Sequence, residues 1–113
     1  MRFKDKSLEA RIEEFDKIKK KYPQRLPVIV EKNKNCKLHT IDKYKYLVEK
    51  DFKYCQFMNV IRKRLEIKPE EAIFLTINGN LASSNSSMFE IYEKYMYEDG
   101  FIYFEYSSEN TFG

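Results

Sequence analysis

Residues that build catalytic centres are scarce in this chain of 113 residues. Histidine occurs only at His39, glycine occurs three times, and the two cysteines, Cys36 and Cys55, do not form a CxxC pair. The sequence therefore has no glycine-rich phosphate loop and no His/Cys cluster with zinc spacing. A Cys-His nucleophilic pair would have to bring His39 beside one of the two cysteines, which their positions do not favour. We predict a protein that is not an enzyme and that holds neither a metal nor a cofactor.

Long apolar runs are missing as well. No stretch approaches the ~20 residues that cross a bilayer as a helix, and residues 1–7 lack the apolar core of a signal peptide. The cysteine positions show no disulfide pattern, so an intracellular protein with reduced thiols is expected. Membrane association is then expected to come from surface contact or from a covalently attached lipid.

Charge is unevenly distributed, although the net value is only +3. Residues 1–68 carry 20 Lys/Arg and 10 Asp/Glu, whereas residues 69–113 carry 1 and 8. This asymmetry predicts a basic surface for an acidic peptide, a phospholipid or a nucleic acid. A solvated face that only keeps the protein soluble is the simpler alternative. Interleaved lysine and tyrosine at 43–46 would suit nucleic acid, but no RNP-like or KH-like signature accompanies them.

Three helices are predicted from apolar spacing and capping residues. Leu8, Ile12, Phe15 and neighbouring positions indicate an amphipathic helix over 8–22, which ends before Pro23. A second helix buries one face from Tyr54 to Leu65. The sequence at 87–90 fits a capping box and begins a short third helix that continues to residue 96.

Strands are predicted where β-branched and aromatic residues cluster between turn signals. They cover 26–30, 44–48, 72–77 and 101–106, with a loop over 33–43 and a tight turn at Asn78-Gly79. The order helix, strand, strand, helix, strand, short helix, strand is that of an α+β, ubiquitin-like β-grasp domain, whose four-stranded mixed sheet wraps the long helix. Order alone leaves strand pairing open. We predict a helical extension (1–22), a β-grasp domain (23–106) and a flexible C-terminal tail (107–113).

Several separated segments carry a family resemblance that covers essentially the whole chain. They are Tyr22–Lys32, Lys45–Val48, Gln56-Phe57 and Ile61–Arg64, with Tyr106-Ser107 and Phe112-Gly113 near the end. In this order the segments closely resemble the GABARAP-like family of autophagy modifiers.

The resemblance implies a modifier whose C-terminal Gly113 is activated, passed through E1-like and E2-like enzymes and joined to the amino group of phosphatidylethanolamine. A delipidating cysteine protease would reverse the attachment. The implied location is the cytoplasm for the free protein, and the cytosolic face of the autophagosome or a related organelle for the lipidated one. No nucleic acid is expected as a partner. A glycine suits such a terminus because it lacks a Cβ and presents an unhindered carbonyl.

The resemblance also implies that receptors and adaptors bind through short segments with an aromatic residue, two variable positions and an aliphatic residue. Such a peptide would add as a strand beside residues 45–48. The implied aromatic pocket comprises Glu14, Ile18, Pro27, Ile29, Lys45, Leu47 and Phe101. The implied aliphatic pocket comprises Tyr46, Val48, Phe52, Phe57, Val60 and Ile61. Acidic flanks of the peptide are expected to meet Arg25, Lys43, Lys45 and Arg64.

Two departures from the family bear on this site. Glu49 stands where a proline is common, and Phe52 replaces a usual leucine, so we expect an aliphatic pocket of altered shape. Two other classes of function stay open at this point: a ubiquitin-like peptide-binding module that is never conjugated, and a basic nucleic-acid binder whose affinity would fall steeply with salt.

Overall fold

The computed structural model describes residues 2–108, which form three α-helices, four strands and one short 3-10 helix. The 3-10 helix spans Phe3–Asp5. The elements that follow, in chain order, are α1 (Leu8–Lys21), β1 (Arg25–Lys32), β2 (Lys45–Glu49), α2 (Tyr54–Leu65), β3 (Phe74–Ile77), α3 (Met88–Tyr95) and β4 (Ile102–Ser107).

The four strands form one mixed sheet in the order β2-β1-β4-β3. The central pair, β1 and β4, is parallel and aligns Val28 with Ile102. The outer strands are antiparallel to their neighbours: β2 aligns Lys45 with Ile29, and β3 aligns Phe74 with Ser107. The predicted β-grasp architecture is confirmed, and the strand pairing that element order left open is now defined.

One face of the sheet is covered by α2 and α3. Phe57, Ile61 and Leu65 follow one another at intervals of four residues along α2, so they share one side of the helix, and all three are fully buried. They pack in one cluster with Val28 of β1 and Phe104 of β4. Because this cluster joins α2 to both central strands and holds most of the buried apolar residues, it forms the main core.

The N-terminal extension covers the opposite face. Phe3, Ile29 and Phe101 form a second buried cluster, against which Phe15 and Ile18 of α1 pack. The backbone at Gly100 has φ +93°, and a Cβ there would lie 2.4 Å from the Phe15 ring. Glycine at this position is therefore what lets α1 approach the start of β4 so closely.

A buried ion pair ties α1 to the other end of the chain. Nη1 of Arg11 donates to Oδ2 of Asp99 at 2.6 Å, and the two residues are 7% and 1% exposed. The hydroxyl of Tyr103 donates to the same carboxylate. Burial and this hydrogen bond raise the pKa of Tyr103, so the phenol stays protonated as a donor.

Local signals fix several element ends. The Ser87 hydroxyl accepts the Glu90 N–H at 3.1 Å, which confirms the predicted capping box at the start of α3.

The loop over 33–43 is held by buried Tyr106, whose hydroxyl accepts the Ile41 N–H and donates to the His39 carbonyl, both at 2.8 Å. One core tyrosine thus orders the middle of the longest predicted loop.

Some predicted boundaries differ from those observed. The 3-10 helix at the start of the chain has no periodic pattern and was not predicted. β1 is longer than the predicted 26–30 at both ends, because Arg25 pairs with Glu49 of β2 and Lys32 pairs with Tyr106 of β4. β4 ends at Ser107, which is 6% exposed and pairs with Phe74, so the sheet includes a residue that we predicted to begin the tail. No helix within residues 2–108 is long and apolar enough to span a membrane.

We predict that Arg11→Ala lowers the free energy of unfolding by about 3–5 kcal/mol, because it leaves the Asp99 carboxylate buried without its charged partner. Urea denaturation measures the loss. Lys17→Ala on the same helix is the matched control: it removes an exposed pair with Glu13, worth at most about 0.5 kcal/mol. Equal effects of the two substitutions would contradict an anchoring role for Arg11.

Candidate peptide-binding site

The outer edge of β2 is unpaired in the sheet. The Val30 N–H donates to the Tyr44 carbonyl at 2.8 Å, and backbone groups of an antiparallel strand point alternately toward and away from their neighbour. The N–H and C=O groups of Lys45 and Leu47 therefore point outward. Pro27, opposite Leu47, occupies a position where β2 needs no N–H from β1. The edge can accept another strand.

Side chains on one face of this edge form what we call the α1-side subsite. Its members are the seven residues of the implied aromatic pocket: Glu14, Ile18, Pro27, Ile29, Lys45, Leu47 and Phe101. The strand register pairs Ile29 with Lys45 and Pro27 with Leu47, the second buried cluster joins Ile29, Phe101 and Ile18, and Lys45 contacts Glu14. Ile29 and Phe101 are fully buried and form the floor. Glu14 and Ile18, one turn apart on α1, and Lys45 and Leu47, two residues apart on β2, are half-buried and form the walls.

A small charge network borders the α1-side subsite. The Glu14 carboxylate accepts hydrogen bonds from Lys45 and, at 3.3 Å, from Lys6. Burial of Glu14 acts to raise its pKa, but the hydrogen bonds and charges of Lys45 and Lys6 outweigh burial and hold the pKa below its ordinary value. Glu14 is therefore ionised at neutral pH, and it holds the Lys45 ammonium beside the apolar floor.

The opposite face of β2 borders an open groove of about 340 Å³, here called the α2-side groove. It is lined by Arg25, Lys43, Tyr46, Leu47, Val48, Glu49, Phe52, Phe57 and Val60. Five of the six residues of the implied aliphatic pocket are in this lining. Ile61 is not; it is fully buried and belongs to the core cluster beneath α2.

Cations near the groove differ in how they are engaged. Arg25 donates to the outward-facing Leu47 carbonyl at 3.3 Å and pairs with Glu49 at 3.6 Å. Arg64 is paired with Asp42 at 3.0 Å, so an incoming acid would compete with an existing carboxylate. Lys43 lies over the Tyr46 ring at 5.1 Å and is exposed. These contacts are solvent-exposed, so each is weak and open to exchange.

The α1-side subsite and the α2-side groove lie on opposite faces of β2, as the two anchors of an aromatic-x-x-aliphatic strand would require. In an extended strand, residues an odd number apart project to opposite faces, and three residues span about 10 Å. The α1-side subsite is built around Lys45 and Leu47, whereas the α2-side groove extends to Val48 and Phe52. A peptide running parallel to β2 would place its first anchor in the subsite and its second in the groove.

Sequence reasoning missed Lys6 and Glu49 as site residues. Lys6 precedes the Ser7 cap of α1 and has no periodic signal, and its contact with Glu14 depends on how the chain turns into the helix. Glu49 was identified as a departure from the family, and the structure places it in the groove lining beside Arg25.

Gly113 lies outside the described residues. No group of His, Cys, Asp and Glu side chains among residues 2–108 is arranged to hold a metal.

A four-stranded mixed sheet in the order β2-β1-β4-β3, with α2 and α3 packed on one face, defines a ubiquitin-like fold. The crystal structure of Trypanosoma brucei ATG8 superposes with a TM-score of 0.90 at 38% identity, covering 100% of this chain and 98% of that one. The family described as "Autophagy protein Atg8 ubiquitin like" matches residues 10–113.

Sequence relatives agree with this assignment. Autophagy-related protein 8 of Mycosarcoma maydis is 49% identical over 107 residues, covering 95% of this chain and 91% of the relative. The protein of the same name from Schizosaccharomyces pombe is 49% identical over 112 residues, covering 98% and 93%. Autophagy-related protein 8a of Arabidopsis thaliana is 48% identical over 106 residues, covering 94% and 87%. The chain belongs to the Atg8 family of ubiquitin-like autophagy proteins.

We predict that Lys45→Gln raises the pKa of the Glu14 carboxyl, because burial then acts against fewer opposing charges. Carbon-detected NMR titration of the side chain measures it. Lys43→Gln, a neighbouring exposed lysine without a contact to Glu14, is the control and leaves that pKa unchanged.

The sign of the associated stability change follows from linkage. A carboxyl whose folded-state pKa is lowered stabilises the fold above its unfolded-state pKa, and this contribution disappears as the pH falls through the folded-state value. The stabilities of wild type and Lys45→Gln should therefore converge in acid. An unchanged Glu14 pKa in Lys45→Gln would show that this pair does not control the carboxyl.

Proposed function

We propose that this Atg8-family protein is a non-enzymatic, GABARAP-like modifier that is joined through Gly113 to phosphatidylethanolamine and recruits proteins carrying aromatic-x-x-aliphatic motifs. The observation that carries the proposal is the free edge of β2, with the α1-side subsite on one face and the α2-side groove on the other. In this proposal the free protein is cytoplasmic. The lipidated protein lies on the cytosolic face of an autophagosome or related organelle.

Peptide capture would draw on two kinds of contact. Outward backbone groups of Lys45 and Leu47 supply the strand hydrogen bonds, which are insensitive to side-chain identity. The buried floor of Ile29 and Phe101 and the groove beside Phe52 supply apolar surface for the two anchors. Burial of the two anchors favours binding, and the ordering of a flexible peptide opposes it. A dissociation constant in the micromolar range, or a binding free energy of about −8 kcal/mol, is consistent with this balance.

Charge supports an acidic flank on the partner. Lys43 and Lys45 flank the start of β2, and Arg25 projects over its free edge at Leu47. Acidic residues beside the motif would meet these cations without needing a buried ion pair, so they are expected to increase the association rate more than the affinity. In this proposal, the excess of basic residues within 1–68 serves to attract the acidic flank of the partner.

The GABARAP-like subgroup is the finer part of the proposal. It is supported by the segments Tyr22–Lys32, Lys45–Val48 and Ile61–Arg64, which resemble that subgroup. Two of the three segments contribute side chains to the recesses beside β2.

The peptide site is tested by calorimetric titration with an acidic peptide that carries the aromatic-x-x-aliphatic motif. We predict saturable binding near the micromolar range for wild type, and at least about tenfold weaker binding for the double variant Lys45→Glu, Leu47→Ala, since it removes a cation and an apolar wall. The control makes the same two kinds of substitution at exposed positions away from β2, Lys63→Glu with Leu81→Ala, and keeps wild-type affinity. Equal affinity of both double variants would place the peptide elsewhere.

Conjugation is proposed from the terminal glycine and from family membership. With no Cβ, the Gly113 carboxylate can enter a narrow active-site channel, and its thioester presents an unhindered carbonyl to the amine of phosphatidylethanolamine. E1-like and E2-like enzymes would activate and transfer it, and a cysteine protease would remove the lipid. An acyl chain pair supplies the membrane affinity that a soluble β-grasp surface lacks.

We predict that purified E1-like and E2-like enzymes with ATP attach wild-type protein to liposomes containing phosphatidylethanolamine, and that Gly113→Ala greatly reduces this attachment. Flotation of the liposomes followed by mass spectrometry measures the product. Both proteins should bind the motif peptide equally, because the proposed β2 site does not include residue 113. If as much Gly113→Ala protein as wild-type protein floats with the liposomes, the conjugation proposal is wrong. That result would not affect the peptide-binding proposal.

A further inference from the structure

A third recess, separate from the two sites beside β2, lies at the end of the sheet where β1 extends beyond β2. This N-terminal cavity has a volume of about 440 Å³. It is lined by Arg2, Phe3, Lys6, Val30, Glu31, Lys32, Lys34, Thr40, Ile41 and Tyr44. Its size is within the range of recesses that bind a small ligand or a few residues of a peptide.

The lining combines an apolar interior with a cationic rim. Phe3, Val30 and Ile41 are buried, and Tyr44 is 43% exposed at the edge. Four basic residues but only one acidic residue line the cavity. Arg2 is already paired with Glu31, and Lys6 with Glu14.

Two rim cations remain available. The ammonium groups of Lys32 and Lys34 have no partner among residues 2–108. A ligand for this cavity should therefore join an apolar group to neighbouring carboxylates.

The cavity adjoins the α1-side subsite. The Phe3 ring, which lines the cavity, lies 4.9 Å from the ring of Phe101 in the subsite floor and 6.2 Å from the ring of Tyr44. Lys6 also lines the cavity and is bonded to Glu14 in the subsite wall. One phenylalanine ring thus separates the two recesses.

Strand geometry indicates which part of a peptide would reach the cavity. A peptide parallel to β2 enters past Tyr44 before its aromatic anchor reaches Lys45 and Leu47. The residue two positions before the aromatic projects to the same face, about 6.6 Å upstream. The Phe3 ring, which lines the cavity, lies 4.9 Å from the Phe101 ring and so is within this distance of the subsite floor.

We propose that the N-terminal cavity is a third subsite for the bound peptide, which takes an apolar side chain two positions before the aromatic anchor, with acidic neighbours paired to Lys32 and Lys34. This inference rests on the proposed peptide-binding function and extends the recognised segment beyond the four-residue motif. It predicts that partners are selected by an apolar residue within the acidic flank, in addition to the flank's charge.

The test uses two synthetic peptides that share a Trp-x-x-Leu core preceded immediately by aspartate. One has leucine two positions before the tryptophan, and the other has serine there. Calorimetry with wild type should show the leucine peptide binding about five- to tenfold more tightly, as expected for partial burial of a leucine side chain. The NMR amide signals of Thr40 and Ile41 should shift with the leucine peptide more than with the serine peptide.

Single substitutions test whether the preference for the leucine peptide arises in the N-terminal cavity. Tyr44→Ala, at an exposed edge position, should reduce the leucine preference to about twofold or less while leaving the affinity for the serine peptide unchanged. Lys34→Glu should weaken both peptides, whereas Lys37→Glu, at another exposed lysine of the same loop that does not line the cavity, should not. Circular dichroism checks that each variant is folded.

The outcomes separate this inference from the function on which it rests. If the serine peptide binds wild type but leucine gives no gain, or the gain persists in Tyr44→Ala, the third subsite is overturned and peptide binding at β2 stands. If neither peptide binds wild type, both proposals fail. A leucine preference that disappears in Tyr44→Ala supports the third subsite.

Discussion

The parallel pairing of β1 with β4 is the constraint on which the other features of the molecule depend. It places residues from the two ends of the chain side by side in the centre of the sheet, so β2 and β3 become the edges. An open edge is a risk for aggregation, and short length and charged side chains are common protections. β2 has five residues, carries Lys45 and has its Leu47 carbonyl occupied by Arg25. These features limit nonspecific pairing and leave the edge open to a strand with the right side chains.

Coverage of the sheet on both faces converts this edge into a site with two recesses. α2 supplies Phe57 and Val60 to one recess, and α1 supplies Glu14 and Ile18 to the other. Without the N-terminal extension, Ile29 and Phe101 would lie on an exposed sheet face rather than form a floor. The Arg11–Asp99 pair and the close approach of Phe15 to Gly100 hold α1 in place. The helical extension is therefore part of the candidate site as well as part of the fold.

Electrostatics at the site depend on partial burial. Partial burial acts to raise the pKa of the Glu14 carboxyl, and the hydrogen bonds and charges of Lys45 and Lys6 outweigh it. The Arg64–Asp42 pair is more exposed than the Lys45–Glu14 pair. Sheltered charges keep fixed positions and can discriminate between partners, while exposed pairs exchange easily with an incoming acid. The N-terminal cavity adds Lys32 and Lys34 to the same side of the molecule, which extends the basic surface upstream of β2.

The sequence by itself determined the features that depend on neighbouring residues. The stripe of Phe57, Ile61 and Leu65 predicted α2, the capping box at Ser87 predicted the start of α3, and Pro23 predicted the end of α1. The matching segments identified the resembling family, and that family implied the seven residues by which the α1-side subsite is defined, whereas Lys6 and Glu49 were missed. These signals are local because helix periodicity, capping and proline geometry act within a few residues along the chain.

Only the tertiary structure decided which distant residues meet. The pairing of Val28 with Ile102 and the burial of Arg11 against Asp99, 88 residues away, leave no periodic trace in the sequence. Arg11 has the same charge as the exposed lysines around it on α1, and Phe3 is an isolated aromatic in a short segment. Their burial results from contacts across the sheet, and such contacts depend on the packing of the whole chain rather than on any local pattern.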